Sequence, residues 1–264
     1  MYHFISGLPR AGSTLLASIL NQNPACSASI MSPLGRVVTE ALQAMGPSNE
    51  AESFLTDAQR RDMLRGIVDG YYSNNEHQII FDNNRRYCAN MALLNELFPG
   101  SKVIACLRAP AAIVDSFEQL FQQNPLNLSV IYGGVSNTTV YKRVQDLMSP
   151  DGVVGFSLNA FRSAFFGPHK ENLLCVDYDS LARFPAALME DLSKALELPP
   201  HNYNFDAIEQ IPGAEQFDRD VATPGLHSLK PKVVYEPRQS VLPPEILRSL
   251  PPAFWVKEEV TQTT

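Results

Sequence analysis

The chain opens with a short apolar run over 2–6 and then changes to a helical pattern from about 13 to 21, which Asn23-Pro24 ends. Two more helices are expected over 34–45 and 56–72. The second carries apolar residues at 63, 64, 67, 68 and 71, the spacing of one helical face. A second strand over 78–81 runs into the polar cluster Asp82-Asn83-Asn84-Arg85-Arg86. A helix over 88–98, a Pro-Gly turn and a third strand over 102–107 follow. The next helix opens with Pro110, where a missing N–H is harmless. A fourth strand lies over 172–176, and a helix over 184–196 has apolar residues at 188, 189, 192, 195 and 196.

Strands that alternate with helices, each strand a continuous apolar run, predict a parallel sheet covered on both faces, a three-layer α/β/α fold. Ligands of such sheets bind at the carboxyl ends of the strands. Residues 124–152 lack a clear pattern and surround a basic helical patch, Tyr141-Lys142-Arg143; a lid or substrate loop and an insertion without chemistry are both open. From 199 to 264 the chain is Pro-rich and reads as irregular. With 264 residues, it is long enough for one large domain over 1–264.

The first strand leads into Gly7-Leu8-Pro9-Arg10-Ala11-Gly12-Ser13-Thr14-Leu15, a Gly/Pro/Arg turn that enters a helix. A helix start presents N–H groups without intrahelical partners and a partial positive charge, so Gly12, Ser13 and Thr14 can wrap a phosphate or sulfate, with Arg10 adding a full charge. Gly7 and Gly12 have the separation of a Walker loop, but position 13 is Ser where that motif needs Lys. A P-loop-type kinase, which needs that lysine and Mg²⁺, is therefore the weaker alternative. At the end of the third strand Arg108 precedes Ala109-Pro110, with Ser116 two turns into the helix. The pair can converge on one phosphate, although strand-end arginines also serve as surface ion pairs.

Acidic residues outnumber basic ones by 28 to 21, which disfavours nucleic acid as a partner. Cysteines 26, 88, 106 and 175 are scattered and read as reduced core thiols of a cytoplasmic protein. The strand at residue 2 leaves no room for a signal peptide, and no apolar run has the length of a membrane span.

Taken together, the loop 7–15, the segment from Lys102 through Arg108 to Ser116, and the segment 174–181 with its following helix and Leu196-Glu197-Leu198-Pro199 resemble the sulfotransferase superfamily, which uses 3′-phosphoadenosine 5′-phosphosulfate (PAPS). The matches run from 4 to 199 in the family's order. The resemblance implies the P-loop-like sulfotransferase fold, with Arg10, Ala11, Gly12, Ser13, Thr14 and Leu15 on the 5′-phosphosulfate and Arg108 and Ser116 on the 3′-phosphate. It is nearer to the bacterial and protein-tyrosine types than to the cytosolic type, whose loop normally ends in Trp where Leu15 stands. Tyr178 then becomes a candidate for adenine stacking, or a packed aromatic. Lys230 and Lys232 occupy the place of the basic loop that closes over the nucleotide in relatives.

Sulfuryl transfer needs a group that takes the acceptor's proton. The positions that hold His or Glu in relatives have no such residue, which leaves Asp82, Glu40 and His227 as candidates. An Asp beside arginines can equally be an ion-paired structural residue. Arg85 can replace the family's lysine on the sulfuryl oxygens and neutralise the leaving group. The expectation is a PAPS-dependent transferase that needs no metal and acts on an unidentified small-molecule or peptide hydroxyl or amine, with residues 31–60 and 124–150 lining the acceptor pocket. A nucleotide-binding module without catalysis is the alternative of a different class.

Overall fold

A computed structural model describes residues 1–46, 50–126, 129, 131, 139–237 and 239–255. Strand β1 (Tyr2–Gly7) is followed by α1 (Ser13–Leu20), β2 (Cys26–Ala28), α2 (Leu34–Ala44) and α3 (Asp57–Tyr71). Then come β3 (Ile79–Asn83), α4 (Met91–Leu97), β4 (Val103–Leu107), α5 (Pro110–Gln123), α6 (Val140–Met148) and α7 (Val153–Phe166). The chain continues through β5 (Leu173–Asp177), α8 (Tyr178–Arg183), α9 (Pro185–Ala195), α10 (Ala214–Asp220) and α11 (Pro244–Ser249).

The five strands form one parallel sheet in the order β2-β3-β1-β4-β5, between helices on both faces, so the fold is three-layer α/β/α. Strands β3 and β4 are buried throughout, which explains their lack of polar alternation. Side chains of β1, β3 and β4 and of α1, α4, α5 and α7 make the core, with Phe4, Phe81, Phe117 and Phe161 almost wholly enclosed. From β1 the chain crosses to β2 on one side, and from β4 to β5 on the other. Adjacent strands with diverging connections leave a crevice at their carboxyl ends.

Local chemistry sets several boundaries. Thr56 and Gln59 form a reciprocal capping box at the start of α3. Pro110 is the first residue of α5. Strand β3 extends two residues past the apolar run, because Asp82 and Asn83 find buried hydrogen-bond partners that let polar side chains enter the sheet. Strand β2, an edge of three residues, is too short for periodicity to mark it. The expected helix over 88–98 is a 3-10 turn, Tyr87–Asn90, followed by α4.

The helical patch within 124–152 lies on a helix, whereas the reading of 199–264 as irregular requires correction. Within 124–152, residues 127, 128, 130 and 132–138 lie outside the described residues, but 140–148 is the helix α6. Its basic patch is not a free anion site: Arg143 is buried against Glu118 at 2.6 Å, with its guanidinium 3.7 Å from the Phe121 ring centre, and Lys142 pairs with Asp146. Within 199–264, of which 256–264 lie outside the described residues, α10 and α11 are helical. The remainder is fastened by buried Ile208, Ile211, Val233 and Leu242 and by hydrogen bonds such as those from Ser240 Oγ and Val241 N to Asp115 of α5, each at 2.7 Å. All four cysteines are free; Cys26, Cys88 and Cys106 are buried, whereas Cys175 is exposed on the edge strand β5 and is no core thiol. Among the described residues no helix is long and apolar enough to cross a membrane.

Candidate active site

A cavity of about 350 Å³ opens at the carboxyl ends of the strands, lined by the last residues of β1 and β3, Gly7 and Asn83, and by Arg108 and Tyr178, which directly follow β4 and β5. The turn after β1 forms its floor. Gly7 has φ +98°, and a Cβ there would lie 2.3 Å from the Cys106 carbonyl oxygen of β4, so only glycine lets the two strands approach this closely. Arg10 has φ +56°. Gly12, with φ +89°, is the N-cap of α1 and offers no side chain to its N–H groups, which are left for a ligand. A Cβ on Gly12 would meet the Tyr178 ring at 2.8 Å. Ser13, Thr14 and Leu15 line the cavity, whereas Ala11 is wholly buried beneath the turn.

Arg10 of this floor is joined at the cavity by two cations from distant parts of the chain, Arg108 and Arg85. Arg10 Nε donates to Ser116 Oγ on α5 at 3.1 Å, and its terminal nitrogen donates to the Leu226 carbonyl. Arg108 donates from Nη1 to the Arg10 carbonyl at 3.3 Å and stacks its guanidinium 4.3 Å from the Tyr178 ring centre. Its Nε is buried with no hydrogen-bond partner among the described residues. An unpartnered donor on a permanent cation beside the cavity suits an anion as its partner. Arg85 lines the opposite wall, and its guanidinium is held below its ordinary value by desolvation and by Arg86. It stays charged at neutral pH.

The third wall is the segment after α10. His227 lines the cavity and is gripped twice by Asp218: its backbone N–H donates to Oδ2 at 2.8 Å, and Nδ1 meets Oδ1 at 2.5 Å. Asp218 is buried, so this ion is available to His227 rather than to water. A carboxylate can only accept, so the ring proton sits on Nδ1 and Nε2 is left as the basic nitrogen. Burial pushes His227 below its ordinary value, outweighing the upward pull of Asp218; Arg10 and Arg85 add to the downward push. Lys230 and Lys232 also line the cavity, paired with Glu236 and, at 2.7 Å, with Asp206.

Asp82 and Glu40 are not brought to the cavity. Asp82 is fully buried and accepts hydrogen bonds from Ser32 Oγ, Tyr72 OH and Tyr87 OH, each at 2.6 Å. Burial raises its carboxyl, and the three hydroxyls oppose that rise. Glu40 is exposed on α2 and paired with Arg36 at 2.6 Å. Of 31–60, Met31 lines the cavity; residues 47–49 lie outside the described residues. Sequence reasoning did not find Asp218, Asn83, Asn84 or Glu236. Asp218 had no signal, because the three-dimensional partner of His227 is fixed by the short helix α10. The described residues hold no cluster of three or more His, Cys, Asp or Glu side chains arranged for a metal.

Residues 3–202 match the family model described as "Sulfotransferase family". No curated protein matches the chain in sequence. Among solved structures, the sulfotransferase domain from the curacin biosynthetic pathway superposes with a TM-score of 0.50 at 17% identity, over 75% of this chain and 74% of that one. The sulfotransferase domain from the Synechococcus PCC 7002 olefin synthase gives 0.49 at 19% identity, over 87% and 88%. At such identities the likeness is one of fold.

Proposed function

The chain belongs to the sulfotransferase family, and we propose from that premise that it moves a sulfuryl group from PAPS to a hydroxyl or amine acceptor. The observation that carries the choice of donor is the buried Nε of Arg108, unpartnered among the described residues, beside the turn that leads into the glycine-capped start of α1. Two separated anion sites suit a nucleotide with phosphate at both ends of its ribose. In this reading α1 and Arg10 hold the 5′-phosphosulfate, Arg108 and Ser116 the 3′-phosphate, and Tyr178 the adenine. Lys230 and Lys232 leave Glu236 and Asp206 to cover the nucleotide. Leu15 in place of Trp supports a position nearer the bacterial and protein-tyrosine types.

The donor supplies an activated sulfuryl group whose bridging S–O bond can break. His227 Nε2 takes the acceptor's proton as the acceptor atom bonds to sulfur, and Asp218 stabilises the imidazolium that results. Arg10, Arg85 and the α1 N–H groups hold the sulfuryl oxygens and neutralise the charge that passes to the leaving bisphosphate. Asp82, saturated by hydroxyls, is assigned to structure: it ties β3 to Ser32, α3 and the turn at Tyr87.

Calorimetric titration tests the donor. Adenosine 3′,5′-bisphosphate should bind without divalent metal and more tightly than ATP with Mg²⁺. Preference for Mg-ATP overturns the proposal in favour of a kinase.

A further inference from the structure

The cavity is divided by chemistry as well as by strand order. Arg108 and Tyr178 stand at the ends of β4 and β5, whereas Ile30, Met31 and Arg85 follow β2 and β3. On this second side, together with the wall formed by α7 and α10, the lining apart from Arg85, Asn83 and Asn84 is largely apolar: Ile30, Met31, Val153, Phe217 and Val221 are all half-buried residues that line the space. Phe217 lies edge-on to His227, with ring centres 5.3 Å apart. The nearby amides are turned back into the protein, Asn83 donating to the Ser29 carbonyl at 3.2 Å and Asn84 to the Ser32 carbonyl at 2.9 Å.

Charge narrows the choice further. Among the described lining residues the one carboxylate is Glu236, and it binds Lys230. A protonated amine would therefore stand near Arg10 and Arg85 with no protein carboxylate free to meet it, which is unfavourable by desolvation and by like-charge repulsion from the two guanidiniums. A sugar seated on that wall would bury several hydroxyls against Ile30, Met31, Val153, Phe217 and Val221, which cannot bond them.

We propose that the acceptor is an uncharged alcohol on an apolar body, bound between Met31, Val153, Phe217 and Val221 with its hydroxyl at His227, in preference to an amine or a sugar. This rests on the sulfuryl-transfer proposal above.

The test uses the full chain saturated with adenosine 3′,5′-bisphosphate, titrated with octanol, octylamine and methyl glucoside at neutral pH. Octanol should bind at least about tenfold more tightly than either of the others, because they bury unmatched charge or hydroxyls. Val153→Asp places a carboxylate at the first residue of α7, where a helix start tolerates an acid, and should reverse the order of octanol and octylamine; Met31→Glu tests the same wall from another element. Octylamine or glucoside binding as tightly as octanol, or no binding by octanol, overturns the acceptor class while the bisphosphate complex stands. Failure of the bisphosphate itself to bind instead removes the transfer proposal on which this one rests.

Discussion

The Arg108 guanidinium lies 4.3 Å from the centre of the Tyr178 ring, and that ring leaves no room for a side chain on Gly12 at the head of α1. Strand ends β4 and β5 and the anion loop are thus joined through the Tyr178 ring, with Arg108 Nε buried and without an acceptor among the described residues. Arg108→Ala should therefore weaken adenosine 3′,5′-bisphosphate by on the order of 1.5–3 kcal/mol, the range for a charge-assisted hydrogen bond, while adenosine 5′-monophosphate is affected much less. Calorimetry with both nucleotides checks this. Equal losses would remove Arg108 from the 3′-phosphate.

His227 should be the base. His227→Asn is expected to lower turnover by about a hundredfold or more with donor affinity nearly unchanged. Because burial and the two arginines hold the imidazole below its ordinary value, turnover of the wild type should rise with pH along a limb that lies below pH about 6.5 and be level above it. The variant should lack that limb. Asp218→Asn should lower turnover with the same selectivity, since the imidazolium loses its counter-charge.

Asp82→Asn should act on stability instead. An amide retains one acceptor oxygen where the carboxylate offers two to three hydroxyl donors, so thermal or denaturant unfolding should show a loss of about 2–3 kcal/mol. Turnover per folded molecule should change by less than about tenfold. A hundredfold loss of turnover at unchanged stability would make Asp82 the base.

His3 gives the fold a separate pH dependence. It is buried on β1, its Nδ1 accepts the Lys102 N–H at 3.1 Å, and burial, with smaller pushes from the amino terminus and Lys102, drives it down to about 4. The unfolded chain then binds the extra proton at higher pH than the folded one. The contribution of His3 is complete above pH about 6.5 and is lost as pH falls toward 4, by on the order of 3 kcal/mol at about 1.4 kcal/mol per unit. His3→Gln keeps an acceptor for Lys102 and should flatten the stability profile across that window relative to the wild type. An unchanged profile would place the titrating group elsewhere.

The parallel sheet was legible because its central strands are buried on both faces and leave uninterrupted apolar runs, while the anion loop was legible because Gly7 and Gly12 meet backbone demands that few sequences satisfy. Helices α8, α10 and α11 were not, since six or seven residues carry too little periodicity. The resemblance placed Arg10, Arg108, Ser116, Tyr178, Lys230 and Lys232, and the structure brings them to one cavity with Arg85 and His227. Sequence position could not separate Asp82 from His227. Whether a carboxylate faces a cleft or three hydroxyls depends on Ser32, Tyr72 and Tyr87, which converge only in the folded chain.

The most direct measurement is transfer of radiolabelled sulfate from PAPS to an apolar alcohol, with a chelator present, by the wild type and by His227→Asn. Label should appear on the alcohol with one adenosine 3′,5′-bisphosphate released for each sulfated product, and the variant should be slower by about a hundredfold or more, the range for a lost general base. Label that remains on the donor under conditions where the bisphosphate binds, or equal rates for the two proteins, would contradict sulfuryl transfer with His227 as its base.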